Sequence, residues 1–380
     1  MLKRRAGGGK RTRVGKSFAL QFGHIVKRLL GLKERGNFMI YKNIEVFNAV
    51  EAEEYEGGMR FYRVPESVSD AMEIPPGGVG RATNSTGVEL RFVVKSGTVK
   101  IKIKDVSPID YLSSFHVYYG GLQGGWDAHE VNCYITREEK EFEFKTPPNL
   151  EKLRKISKEA GIDFDPSVVR VIFDRGSYVI TDVSGDAEPP TKDLLPQKTL
   201  LCYGSSITHG SNSIDMSHSW ASILGHNINM DVRNLGMAGA CAAEEEMVGY
   251  IASEGERGAW DTAVLSLGIN VLNWEEEKIY ARVKNMIAEI AGRNRDKKVF
   301  VISPLYNNDD YENGGRSDNW RKIIASECEK AALPNVTYIN GLDLLGSMDL
   351  ISADFVHPNI YGVSQIAERL TKIVKDSLQI

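Results

Sequence analysis

The chain has 380 residues, 42% of them hydrophobic, which is enough for two domains with proper cores. Its 47 Lys+Arg against 51 Asp+Glu give a formal charge of -4, which argues against a nucleic-acid partner for the bulk of the chain. No apolar run approaches the ~18 residues that a membrane span needs. Cys133, Cys202, Cys241 and Cys328 show no CxxC or Cys/His spacing, so the expectation is no metal, no disulfide framework, and a reduced, cytoplasmic protein.

The first 38 residues hold eleven Lys/Arg and one Glu, a local charge of +10 that leaves -14 for the remainder. Phe18, Phe22, Ile25, Val26, Leu29 and Leu30 recur there at helical spacing beside Lys27, Arg28 and Lys33, a pattern open to a basic amphipathic helix on a membrane surface. The reading adopted is a loosely ordered extension over 1–38, or sequence translated upstream of a start at Met39. His24, Lys27 and Arg28 interrupt any secretory apolar core, and no small-residue cleavage site follows.

From 39 to 183 the apolar residues alternate with period two. Val88, Leu90, Phe92 and Val94 share one face, Lys95-Ser96-Gly97-Thr98 reads as a turn, and Val99, Ile101 and Ile103 resume, which predicts a hairpin. Further strand-like runs at 60–64, 115–119, 131–136, 141–144 and 168–173 predict an antiparallel β-sandwich of jelly-roll-like type. Residues 150–160, rich in Lys and Glu and followed by Gly161, predict one helix. Gly185, Pro189, Pro190, Asp193 and Pro196 mark 184–197 as an exposed linker.

Beyond the linker the rhythm becomes strand, loop, helix. Short apolar runs at 200–203, 232–235, 263–267, 299–303 and 336–339 alternate with amphipathic segments at 220–228, 242–251, 275–291, 320–332 and 360–378. That alternation predicts an α/β domain over 198–380: a parallel sheet with helices on both faces, in a flavodoxin-like three-layer α/β/α arrangement.

In such a sheet ligands bind at the carboxyl ends of the strands. Four stretches fall there. Gly204-Ser205-Ser206 closes the first strand and offers Ser206 as a nucleophile, although a Gly-Ser-Ser turn also suits a helix cap. Asp354 precedes His357-Pro358 by three residues, a spacing that lets the carboxylate turn back to His357 Nδ1 and leaves Nε2 for Ser206. Gly239, after the second strand, lets a backbone N–H approach a substrate oxygen; Asn270, in Gly268-Ile269-Asn270, offers a side-chain donor or simply forms a turn.

This ordered set resembles the four blocks of the SGNH/GDSL hydrolase superfamily over roughly 198–378. The resemblance implies Ser206 as nucleophile, His357 as base and Asp354 as its orienter. The oxyanion donors it implies are the Ser206 N–H, the Gly239 N–H and the Asn270 side chain. Ser205 stands where the family usually has Asp, and Val271 follows Asn270 where Asp is frequent. A Gly-Ser-Ser-Ile-Thr form after a β-sandwich also resembles bacterial SGNH proteins that include carbohydrate deacetylases and acyl transferases.

His209 and His218 follow the nucleophile, but neither reads as having a carboxylate at a comparable offset in a strand-end loop. His209 and Trp274 are candidate substrate-binding residues, as is the polar loop 306–313, although His209 equally suits a helix start and the loop equally suits plain solvation. Cys241 reads as a packed small residue. The expected activity is serine-esterase hydrolysis of small acyl esters, acetyl foremost, on a small-molecule or oligosaccharide substrate, with no cofactor. An acyltransferase using the same residues and a carbohydrate-binding protein with a vestigial hydrolase domain are the alternatives, and the sequence leaves a homo-oligomer open.

Overall fold

The computed structural model describes residues 32–35, 38–74, 82–108, 113–126 and 133–380. The basic stretch 1–31 and the start of the 131–136 run lie outside the described residues. Strand β1 (Leu32–Arg35) pairs antiparallel with β2 (Phe38–Tyr41), so a strand lies inside the stretch read as an extension.

The alternating first half gives β3 (Ile44–Phe47), β4 (Glu51–Tyr55), β5 (Gly58–Tyr62), β6 (Glu89–Asp105), β7 (Phe115–Tyr119), β8 (Leu122–Gln123), β9 (Lys140–Phe144), β10 (Val168–Phe173) and β11 (Tyr178–Glu188). The described part of the 131–136 run makes only a bridge, Tyr134 to Ser114. The helix at Leu150–Ala160 ends on Gly161 in the left-handed conformation.

The expected hairpin at 95–98 does not form. One 17-residue strand, β6, runs through it, pairing by its first half with β3 and β10, by its second with β9, and with β11 along both. The buried positions change parity between Val94 and Val99, which requires an odd number of inserted residues, a bulged stretch. Register against β11 breaks there, and Gly97 (φ +64) and Gly185 (φ +101) supply the left-handed backbone. The strand thus bends within one 11-stranded sheet, and both halves face a single core that holds Tyr41, Phe61, Phe92, Ile101, Phe142 and Val171. β11 continues to Glu188, so residues 184–188 are strand rather than linker.

The second half forms β12 (Thr199–Gly204), β13 (Asp231–Gly236), β14 (Thr262–Ser266), β15 (Lys298–Ile302) and β16 (Val336–Ile339), all parallel, in the order β13-β12-β14-β15-β16. Alternate strand residues serve opposite layers. Leu200, Cys202, Val264 and Phe300 meet helices Trp220–Asn227 and Ile360–Leu378; Leu201, Tyr203, Ala263 and Val301 meet Glu245–Glu256, Glu276–Met286 and Arg316–Ala331. The helix expected from 242 starts at Glu245, because Ala243 has φ +50 and its N–H donates to the Tyr203 hydroxyl at 3.0 Å.

The two halves share material. Val64, Val68, Met72 and Ala82, from the segment between β5 and β6, lie in the apolar core of the parallel-sheet half. Arg91 on β6 is fully buried and makes two 2.6 Å bonds to Asp231 at the start of β13 and one of 2.8 Å to Glu89, which also pairs with Arg170. Arg63, also fully buried, donates to the carbonyls of Asn234 (3.0 Å) and Gly236 (3.1 Å) at the end of β13.

Candidate functional site

β12 sits where the chain's connections reverse direction, and its carboxyl end faces the crevice. A Cβ on Gly204 would lie 2.2 Å from Thr208 Oγ1, so only glycine lets the chain turn this tightly after the strand. Ser205 Oγ then accepts the Ile207 N–H and caps the short helix Ser206–His209, which leaves Ser206 as its first residue, 7% exposed.

Ser206 Oγ lies 2.7 Å from His357 Nε2, and His357 Nδ1 lies 2.7 Å from Asp354 Oδ2. The segment bearing the last two is pinned on itself. Ser352 N–H donates to the His357 carbonyl at 2.8 Å, and Asn359 caps the final helix by accepting from the Tyr361 and Gly362 N–H groups. Asp354 Oδ1 accepts from Ser352 Oγ and from the N–H groups of Val356 and His357. Burial alone would raise the Asp354 carboxyl; those backbone donors, the Ser352 hydroxyl and the His357 ring hold it well below the usual carboxylate range. A carboxylate kept ionised fixes the imidazole with Nδ1 as donor and Nε2 as acceptor toward Ser206.

Gly239 (φ +73) is the third residue of a turn closed by Ala240 N–H to the Met237 carbonyl, and Met237 N–H bonds the Gly204 carbonyl at 2.8 Å. The turn therefore hangs from the strand end that carries Ser206, and a Cβ on Gly239 would meet nothing within 4 Å. Asn270 Oδ1 accepts the Cys241 N–H at 3.0 Å, which leaves its NH2 for another acceptor. Cys241 is 2% exposed and burial pushes its thiol up to about 12, so it packs rather than reacts.

Other expectations fare differently. His209 is 1% exposed, so its ring is covered by protein instead of facing a substrate. Trp274 packs its half-buried ring on the core, with Lys278 Nζ 3.6 Å from the ring centroid. His218 does have a carboxylate at the same three-residue offset as His357: Asp215 Oδ2 lies 2.9 Å from His218 Nδ1. That pair lies outside the Ser206 relay, and the His218 ring lines a separate cavity of about 390 Å³ between the two halves. Asp215 also approaches His116 and Asp174, a set whose donor atoms lie within 4.8 Å of one another. Each of those carboxylate oxygens already accepts a hydrogen bond from a protein donor, which makes the set a polar junction between the halves rather than a vacant metal centre.

The GDSL-like Lipase/Acylhydrolase family model matches residues 202–363. Residues 202–363 are a GDSL-like lipase/acylhydrolase domain. A salicylyl-acyltransferase from a tetracycline biosynthetic pathway superposes with TM-score 0.70 at 17% identity, over 90% of this chain and 96% of that one. A GDSL-like lipase from Bacteroides ovatus gives 0.61 at 16% identity over 89% and 97%, and a family two carbohydrate esterase from Clostridium thermocellum, in complex with cellohexaose, gives 0.57 at 14% over 88% and 99%. At such identities the likeness is one of fold, and it spans the β-rich half as well as the GDSL-like domain. No curated protein sequence matches the chain.

Two further features of the GDSL-like domain had no signal in the sequence. Phe355 lies between Asp354 and His357 with φ +62, is 52% exposed, and its carbonyl accepts the Asn308 N–H at 3.0 Å, which ties the polar loop after β15 to the His357 segment. A bulky residue held left-handed and open to solvent costs stability and buries little. Glu244, five residues after Gly239, is 2% exposed and accepts the Glu73 N–H at 3.1 Å.

Burial pushes the Glu244 carboxyl up to about 7 from its ordinary 4.5. Because the folded value is the higher one, stability is fully present below the ordinary value and is lost as pH rises toward the folded one. Glu244→Gln is expected to gain about 2–3 kcal/mol at about pH 8 and nothing at about pH 4. Urea unfolding at the two pH values checks it.

Proposed function

We propose that this chain is a serine esterase that removes small acyl groups, acetyl foremost, from a carbohydrate or similarly hydroxylated compound. The observation that carries the proposal is the continuous relay from Ser206 Oγ through His357 to Asp354, 2.7 Å at each step. His357 takes the hydroxyl proton as Ser206 Oγ bonds to the ester carbonyl carbon, and the Ser206 and Gly239 N–H groups with the Asn270 NH2 receive the oxyanion. The carbon–oxygen bond to the alcohol then breaks, and the proton goes from His357 to that oxygen. Water repeats the sequence on the acyl-enzyme and releases the acid.

Two observations favour water and a sugar as partners. The Asp354 side chain is 43% exposed and that of His357 22%, so the site is open to solvent, whereas a transferase gains from excluding it. Exposed Phe355 and, on the linked polar loop, Tyr311 at 64% present aromatic faces of the kind that stack on pyranose rings. The carbohydrate esterase and acyltransferase folds named above fit this reading and its acyl-transfer alternative equally.

The test is a panel of acetylated xylo-oligosaccharides, acetylated amino sugars and aryl esters of increasing acyl length, each with and without an added sugar acceptor. Acetate release that the acceptor does not suppress is the expected result. Acyl capture by the acceptor in preference to water would replace hydrolysis with transfer. No turnover together with no fluorophosphonate labelling at Ser206 would leave the carbohydrate-binding alternative.

A further inference from the structure

The loop 210–216 joins the Ser206 turn to the helix Trp220–Asn227, and the β-sandwich grips it at both ends. Arg175 Nη2 donates to the Gly210 carbonyl at 3.4 Å, and Asp174 Oδ1 accepts the Met216 N–H at 2.6 Å. Asp174 is 7% exposed and is itself held, its Oδ2 accepting from the Ser114 hydroxyl and lying 2.5 Å from His116 Nε2. Midway along the loop Asn212 stands at φ +63, a conformation that Asn tolerates better than most residues. Its Nδ2 donates to Asp354 Oδ2 at 3.2 Å and to Ser352 Oγ at 3.0 Å.

Asp354 Oδ2 is the oxygen that faces His357 Nδ1, and the carboxylate is 43% exposed. Water competes there, so a second donor on Oδ2 limits rotation of the carboxylate away from the imidazole. We propose that Asp174 and Asn212 are positioning residues: by pinning Met216, Asp174 of the sandwich sets the loop so that Asn212 clamps Asp354 in register with His357. The sandwich then completes the reacting site without touching substrate. This rests on the esterase reading.

Asn212→Gly tolerates the left-handed backbone and removes the side chain that carries the amide. The expected result is a fall of about tenfold in kcat for p-nitrophenyl acetate with KM unchanged, and an equal slowing of fluorophosphonate labelling at Ser206. Asn212→Asp, which places an acceptor against Asp354, should be slower still. Asp174→Asn, with kcat corrected for the folded fraction, should lose about threefold, and the Asp174→Asn/Asn212→Gly double variant should be no slower than Asn212→Gly alone, because both act through one contact. Parental rates in Asn212→Gly, or losses that multiply in the double variant, would overturn the proposal. A parent protein that neither labels nor turns over esters would overturn the esterase reading instead.

Discussion

Ser206→Ala is expected to abolish ester turnover while leaving the fold intact. The serine is 7% exposed and its hydroxyl contacts His357, so truncation removes the attacking atom and opens no cavity in the core. In triad hydrolases such a loss reaches on the order of 10⁶-fold in kcat, because the remaining residues act as a unit and cannot substitute for the nucleophile. Asn270→Ala is the instructive contrast. It deletes one oxyanion donor and keeps the relay, so it should cost about 10²–10³-fold, or ~2.7–4 kcal/mol, and leave measurable activity. The checks are p-nitrophenyl acetate turnover, melting temperature and fluorophosphonate labelling on both variants. Full activity in Ser206→Ala with an unchanged melting curve would sink the esterase assignment.

What the sequence revealed about this site follows from locality. Ser206, Gly239 and Asn270 each follow within four residues of the end of a short strand, so those three could be placed without knowing the sheet order, and His357 was found by its three-residue offset from Asp354. Asn212 and Phe355 carry no such mark: a left-handed Asn and a left-handed Phe in loops look like ordinary connections until the chain is folded and Asn212 meets Asp354 across 142 positions. The β6 bend failed for a different reason. A Lys-Ser-Gly-Thr stretch satisfies the requirements of a two-stranded turn, and only the parity change from Val94 to Val99 distinguishes a bulged, continuous strand.

The junction between the halves was hidden by the same alternation that revealed the strands. Glu89 and Arg91 occupy the outward face of β6, where period-two reading assigns solvent, and the GDSL-like domain covers that face: the two side chains are 5% and 0% exposed. Charged residues buried this way have to be paired or their desolvation goes uncompensated. This is also why Arg63, His116 and Asp174 gave no signal in the sequence, since each is polar, buried and hydrogen-bonded to a residue or carbonyl far along the chain.

Arg91→Met should therefore be the most destabilising single change at the junction. The guanidinium serves Glu89, Asp231 and, at 3.7 Å, Glu45; removing it leaves a buried excess of negative charge, with a cost of about 3–5 kcal/mol. Adding Asp231→Asn should restore part of the loss by deleting one of those charges, and urea unfolding of the two variants measures it. The pH dependence separates charge from packing. Burial would raise the Glu89 carboxyl, but Arg170 and Arg91 hold it at about 2, below its ordinary 4.5. The stability this adds is present above the ordinary value and is lost as pH falls through the depressed one. Without Arg91 that depression is smaller, so the gap between parent and variant should narrow as pH falls below about 4. A gap that stays constant on acidification would assign the loss to packing of the guanidinium on Phe47, whose ring centroid lies 3.5 Å away, rather than to the ion pairs.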